Sequence, residues 1–169
     1  MSTHPHVRPP LSDAGRPSRP SRRSALLLLA GTGLGLVHQV DHILRYDHSG
    51  WPFRPEVSLF TFSWVFFALG LAPLVMSRPW LRLVPVTLLL MGVQAAHILI
   101  ETPHDQYSVW ATGVSHDPAS MGEPNLLGIT SAPLGLLAAG VALALSAVFL
   151  AALVSLTVDA RRPTSSTAV

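Results

Sequence analysis

The chain contains no cysteine and no lysine among its 169 residues, and charged side chains make up only 12% of it. Without cysteine there are no disulfides, thiolate metal sites, covalent c-type haem links or cysteine nucleophiles, so any ligand must be held by nitrogen or oxygen. Nucleotide-binding loops, Gly-x-Ser-x-Gly elbows and Ser-Lys pairs in a usable context are also missing, which removes support for nucleotide-driven transport and serine hydrolysis. What remains is 49% hydrophobic, with positive mean hydropathy, the balance of an integral membrane protein.

All eleven basic residues are arginine, and five of them (Arg8, Arg16, Arg19, Arg22, Arg23) precede the first apolar run. Beside a membrane span, such a tail suits anionic lipid headgroups, and nucleic acid is not expected as a partner. Pro5, Pro9, Pro10, Pro17 and Pro20 interleave with Ser and Arg, so residues 1–22 read as a disordered cytoplasmic tail and residues 161–169 as a second one. Between them, residues 23–160 read as one membrane domain.

A helix crosses the hydrocarbon core in about 20 residues at a rise of about 1.5 Å each. Four stretches meet that length, at about 24–44, 57–76, 81–100 and 132–158. The fold expected is therefore all-α, an integral membrane four-helix bundle. Arg78, Arg82, Arg161 and Arg162 fall on the same side as the basic tail, and only Arg45 and Arg54 on the other. The positive-inside rule then makes both termini cytoplasmic and turns the loops at 45–56 and 101–131 outward. Ser21-Arg22-Arg23-Ser24 before an apolar run has the look of a twin-arginine export signal, but the run continues to Leu44 without an Ala-x-Ala site, so an uncleaved anchor is expected. Arginine as the sole base and the lack of cysteine suit a bacterial plasma membrane.

Ionisable groups at membrane depth are costly, and a cluster of them is a site hypothesis. The first span carries His38, Asp41, His42 and Arg45 within an arc of about 100°, and the third carries Gln94, His97 and Glu101 within about 60°. His38 and His42, at i and i+4, have the spacing that lets two imidazoles meet one metal ion. Counted from residues 24 and 81, His38 lies 14 residues into its span and His97 lies 16 into its own, so two parallel helices bring them to one depth. The expected metal ligands are His38, His42, His97 and Glu101, with Glu101 alternatively a general base and Asp41 a carboxylate behind the ligands. Zn²⁺, Fe²⁺ or Mn²⁺ suits that donor set, and b-type haem is the alternative.

Three functions stay open on these residues: a metal-dependent enzyme acting on a lipid or another membrane-delivered substrate, a haem-binding electron-transfer module, and an accessory or transport subunit with a His/Asp proton relay. Interhelical hydrogen bonding without chemistry is the bland alternative. Asp47-His48, His104-Asp105 and His116-Asp117 are read as loop pairs, since Pro103 disfavours helix at Thr102 and Gly113, Pro118, Gly122 and Pro124 oppose a regular element across the outer loop. Trp51, Phe53, Tyr107, Trp110 and Trp80 are expected in interface belts. Gly31 with Gly35, and Gly135 with Ala139, are small pairs that permit close helix approach.

Overall fold

A computed structural model describes residues 18–45, 62–116 and 121–162. The expected tails up to residue 17 and from 163, the start of the second span at 57–61, and the loop residues Asp47, His48, Trp51, Phe53, Arg54, Asp117 and Pro118 lie outside the described residues. The described part is helical, in the order α1 Arg22–Arg45, α2 Trp64–Val75, a 3₁₀ turn Trp80–Arg82, α3 Leu83–Leu99, α4 Pro103–Thr112 and α5 Ala132–Arg161. Three of these segments, Arg22–Arg45, Trp80–Leu99 and Ala132–Arg161, are long and apolar enough to cross a membrane, and Trp64–Val75 is a shorter apolar helix.

Two of the long helices, α1 and α5, start at a serine cap. Ser21 precedes α1, and its hydroxyl accepts from the Ser24 amide at 3.2 Å. The Asp159 carboxylate of α5 accepts from the Ser21 amide at 2.9 Å and from the Ser24 hydroxyl at 2.7 Å, so the start of α1 is tied to the end of α5. Ser131 caps α5 through the Leu134 amide at 3.3 Å, with Pro133 in the first turn, where no intrahelical donor is needed.

α1 and α4 pack broadly against α5, α3 packs against α2 and α5, and α1 packs against α2. The core comes from three helices: Leu28 of α1, Val86, Leu89 and Val93 of α3, and Leu145, Phe149, Ala152 and Leu156 of α5. Glycine lets these helices close. A Cβ at Gly31 would stand 2.9 Å from the Phe149 ring, and one at Gly92 would stand 2.8 Å from the Phe66 ring. At Gly135 the backbone of Tyr107 in α4 comes so near that a Cβ would meet its carbonyl oxygen at 2.5 Å. Leu136, Leu143, Leu150 and Val154 of α5 stay exposed, as do Leu26, Leu29 and Leu36 of α1, which is the surface a lipid-embedded protein presents.

The outer loop contains an element that the sequence reading left out. Residues 103–112 form α4, so His104 and Asp105 occupy a helical first turn and not a loop. Pro103 does keep Thr102 extended, with ψ 159°, but it does so as the first residue of a new helix. Thr102 and Asp105 complete a capping box, each bonded to the other's backbone amide. Beyond Gly113, whose φ of 84° ends α4, the described loop residues form one isolated bridge between Val114 and Pro124 and are held by Asn125, whose amide donates to the Gly113 and Ile129 carbonyls at 3.2 and 2.8 Å. The Leu126 amide donates to Leu44 at 2.8 Å and closes this loop over the end of α1.

Candidate functional site

α1 and α3 bring their imidazoles to one place. Nε2 of His38 lies 3.1 Å from Nε2 of His42 and 3.2 Å from Nε2 of His97. The rings meet edge to face, His38 with His42 at 68° and His38 with His97 at 84°. His38 and His42 are buried and His97 is half-buried. The sequence reason is simple: residues i and i+4 share a helix face, and equal depth on two helices sets the third imidazole opposite.

Behind His42 stands an ion network. The Arg45 guanidinium is fully buried, and its Nε donates to Asp41 Oδ2 at 2.8 Å. Its Nη1 pairs with Glu101 Oε1, and its Nη2 donates to Glu101 Oε2 at 3.2 Å. His42 Nδ1 faces both partners, 3.1 Å from Arg45 Nη2 and 3.4 Å from Glu101 Oε2. The second Asp41 oxygen accepts from the Trp110 indole at 2.7 Å. One cation thus pairs with two carboxylates, which leaves the trio one negative charge in a largely buried setting.

The carboxylates therefore stand on the far side of His42 from its Nε2. Among the described residues no group of three or more His, Cys, Asp or Glu side chains is placed so as to hold a metal ion as it stands, so the expected ligand set of His38, His42, His97 and Glu101 is not found assembled. What is brought together is three ring nitrogens. Each imidazole Nε2 offers one in-plane proton or one lone pair. A hydrogen bond satisfies His38 Nε2 toward one neighbour only, whereas a single cation would take lone pairs from all three rings. With metal–nitrogen bonds of about 2.0–2.1 Å, nitrogens across an ion are about 4.1 Å apart, and neighbours at tetrahedral and right angles about 3.4 and 2.9 Å. The observed 3.1 and 3.2 Å match adjacent ligands of one ion and not the opposed axial pair of a haem.

A cavity of about 70 Å³ adjoins the imidazoles and is lined along α1 from Gly31 to His42. Its walls are Gly31 and Gly35 of α1, Phe66 and Phe67 of α2, Leu89 and Val93 of α3, and Leu145 and Phe149 of α5. The polar wall atoms are engaged elsewhere: the Thr32 hydroxyl donates to Leu28 at 2.8 Å and the Ser63 hydroxyl donates to Gln39 Oε1 at 2.9 Å.

Other candidates stand apart. Gln94 turns to α5 and donates to Ser146 at 2.7 Å. The His104 side chain is 84% exposed and 4.0 Å from Asp105, and His116 is an exposed partner of the Thr112 hydroxyl at 3.0 Å. Partial burial works against ionising Asp105, but the Thr102 hydroxyl and amide that donate to it, together with the nearby His104 and His116 rings, hold its pKa below the ordinary value. Sequence reasoning placed Trp110 in an interface belt, yet it is 1% exposed and bonds Asp41. The signal that could have found it is the capping box at Thr102, which starts a helix and sets Gln106 and Trp110 on one face of it. Gln106 is fully buried with neither amide atom partnered among the described residues. Compared with protein-family models, with curated proteins and with solved structures, the chain matches none.

Proposed function

We propose that this chain is a four-span integral membrane metalloprotein, both termini cytoplasmic, whose metal centre on His38, His42 and His97 lies near the outer face. The observation that carries the reading is the spacing of the three Nε2 atoms, 3.1 and 3.2 Å, which suits neighbouring ligands of one Zn²⁺, Fe²⁺ or Mn²⁺. Three nitrogen ligands leave a position for water or substrate, as in catalytic metal sites, so the centre serves metal-dependent chemistry on a molecule delivered by the membrane. Glu101 orients His42 through Nδ1, and Arg45 with Asp41 holds Glu101. The arginine-rich tail, with Arg16, Arg19, Arg22 and Arg23, rests on anionic headgroups.

Elemental analysis of the protein purified in mild detergent tests this. About one metal ion per chain is expected in wild type, with at least a tenfold lower content in His38→Ala and in His97→Ala. Equal metal content in wild type and the His38→Ala/His97→Ala double variant overturns the reading. A proton relay is the second reading, favoured by the succession of close contacts from His97 through His38 and His42 to Glu101, in which His38 Nε2 bonds one neighbouring ring at a time. It is adopted if metal is absent from wild type while those variants still abolish proton movement across vesicles.

A further inference from the structure

The cavity beside the imidazoles has a division of labour that narrows what can enter it. From Gly31 to His42 is 11 residues of α1, a run of about 16 Å. Over that run the walls are mostly carbon, from Gly35, Phe67, Leu89, Leu145 and Phe149 among others; the Thr32 and Ser63 hydroxyls are bonded into the protein, Gln39 Oε1 accepts from Ser63, and Glu101, which lines the imidazole end, is paired with Arg45. α1 and α3 do not pack broadly on each other, and α2 and α5 flank the gap between them. The opening between the two histidine-bearing helices is thus long, narrow and apolar, with its nitrogen donors at one end.

Charge adds a second constraint. A divalent ion on the three imidazoles joins Arg45, Asp41 and Glu101 in a largely buried site. Two carboxylates offset the guanidinium and one of the ion's charges, leaving one positive charge for an incoming ligand. An uncompensated charge in such a setting is costly, and an anionic donor in the open coordination position removes it.

Building on the metal centre proposed above, we infer that the ligand of this site is a single-chain amphiphile with a carboxylate head: the head completes the coordination, and the alkyl chain lies in the cavity between α1 and α3 toward Gly31. Counted from water, each methylene strengthens binding about fourfold whether the chain enters the cavity or the surrounding bilayer, so the Gly35 variants are what mark the cavity itself. A short carboxylate carries the head without the chain, and a fatty alcohol carries the chain without the charge.

The test uses the full chain in lipid nanodiscs, loaded with Co²⁺ so that the visible bands of the ion report its ligands. Octanoate, decanoate and dodecanoate are expected to shift those bands with steeply rising affinity, acetate only at far higher concentration, and dodecanol not at all. Gly35→Val places its methyls in the cavity, and is expected to keep its cobalt and its response to acetate while losing tenfold or more in affinity for dodecanoate. Should that variant fail to fold, Gly35→Ala serves, since its Cβ meets nothing nearer than Phe67 at 3.5 Å. Affinity independent of chain length, or unchanged dodecanoate binding in the Gly35 variants, overturns the inference and leaves the metal centre standing. Failure of wild type to take up cobalt defeats the centre itself, and the amphiphile with it.

Discussion

Glu101 and Arg45 show what a single residue contributes when it lies behind a site. Glu101 touches His42 at Nδ1 and not at the nitrogen that meets the other imidazoles, so its work is to fix the ring and raise its basicity. Glu101→Gln keeps the size and removes the charge, and is expected to weaken metal affinity about 10–100-fold with the helices intact. A competition titration with a chelator of known affinity reads this directly, and an unchanged constant refutes the role. Arg45→Ala is expected to act differently, because it strands Asp41 and Glu101 in a buried place, at a cost of about 3–5 kcal/mol in stability. Thermal unfolding in detergent distinguishes the two: a large loss for Arg45→Ala and a small one for Glu101→Gln. The meeting of His38 with His42 was legible from spacing alone, and that of His97 from depth. The grip of Arg45 on Glu101 was not, since which groups pair across helices depends on how the helices pack.

Among the elements, length and hydropathy made α1, α3 and α5 legible, because a membrane span needs little more than about 20 apolar residues. α4 was obscured because Pro103 was read as a breaker, when a proline after a threonine with an aspartate two residues on marks a start. The cap carries a pH dependence. Asp105 has a lowered pKa in the folded chain, so its contribution is present above the ordinary carboxylate value of about 3.9 and is lost as pH falls through the folded value. Amide protection in residues 104–107, taken relative to the intrinsic exchange rate at each pH, is expected to fall on acidification below about pH 4 in wild type. Asp105→Asn should show faster exchange already at neutral pH and a flatter acid profile, and a profile identical to wild type contradicts the cap.

Packing between elements predicts a second contrast. Gly92→Ala pushes a methyl against the Phe66 ring at 2.8 Å, and Gly31→Ala does so against Phe149 at 2.9 Å, whereas nothing lies within 4 Å of a Cβ at Gly33. The first two are expected to cost about 1–3 kcal/mol. Gly33→Ala is expected to stabilise α1 by about 0.5–1 kcal/mol, since alanine gives up less backbone freedom than glycine in a helix. If all three variants melt alike, the close approach of α1 to α5 and of α2 to α3 is wrong.

At the scale of the whole molecule, the imidazole centre sits at the end of α1 opposite to the Ser24–Asp159 tie, so the chain has two polar poles and an apolar waist. Arginine asymmetry is the ground for the orientation proposed above: Arg22, Arg23, Arg78, Arg82, Arg161 and Arg162 gather at the pole of Asp159, and Arg45 is withdrawn from the count by its buried pairing. The absence of cysteine makes the orientation directly testable, because any introduced thiol is the only one. Met121→Cys, exposed in the loop that closes over the end of α1, is expected to react in intact cells with a maleimide that cannot cross membranes. Ser77→Cys, between α2 and α3, should react only after the cells are permeabilised. The reverse pattern would turn the proposed metal centre toward the cytoplasm, and labelling of both positions in intact cells would mean that α3, the segment between them, does not cross. Either result also decides from which leaflet a membrane-delivered molecule reaches His38, His42 and His97.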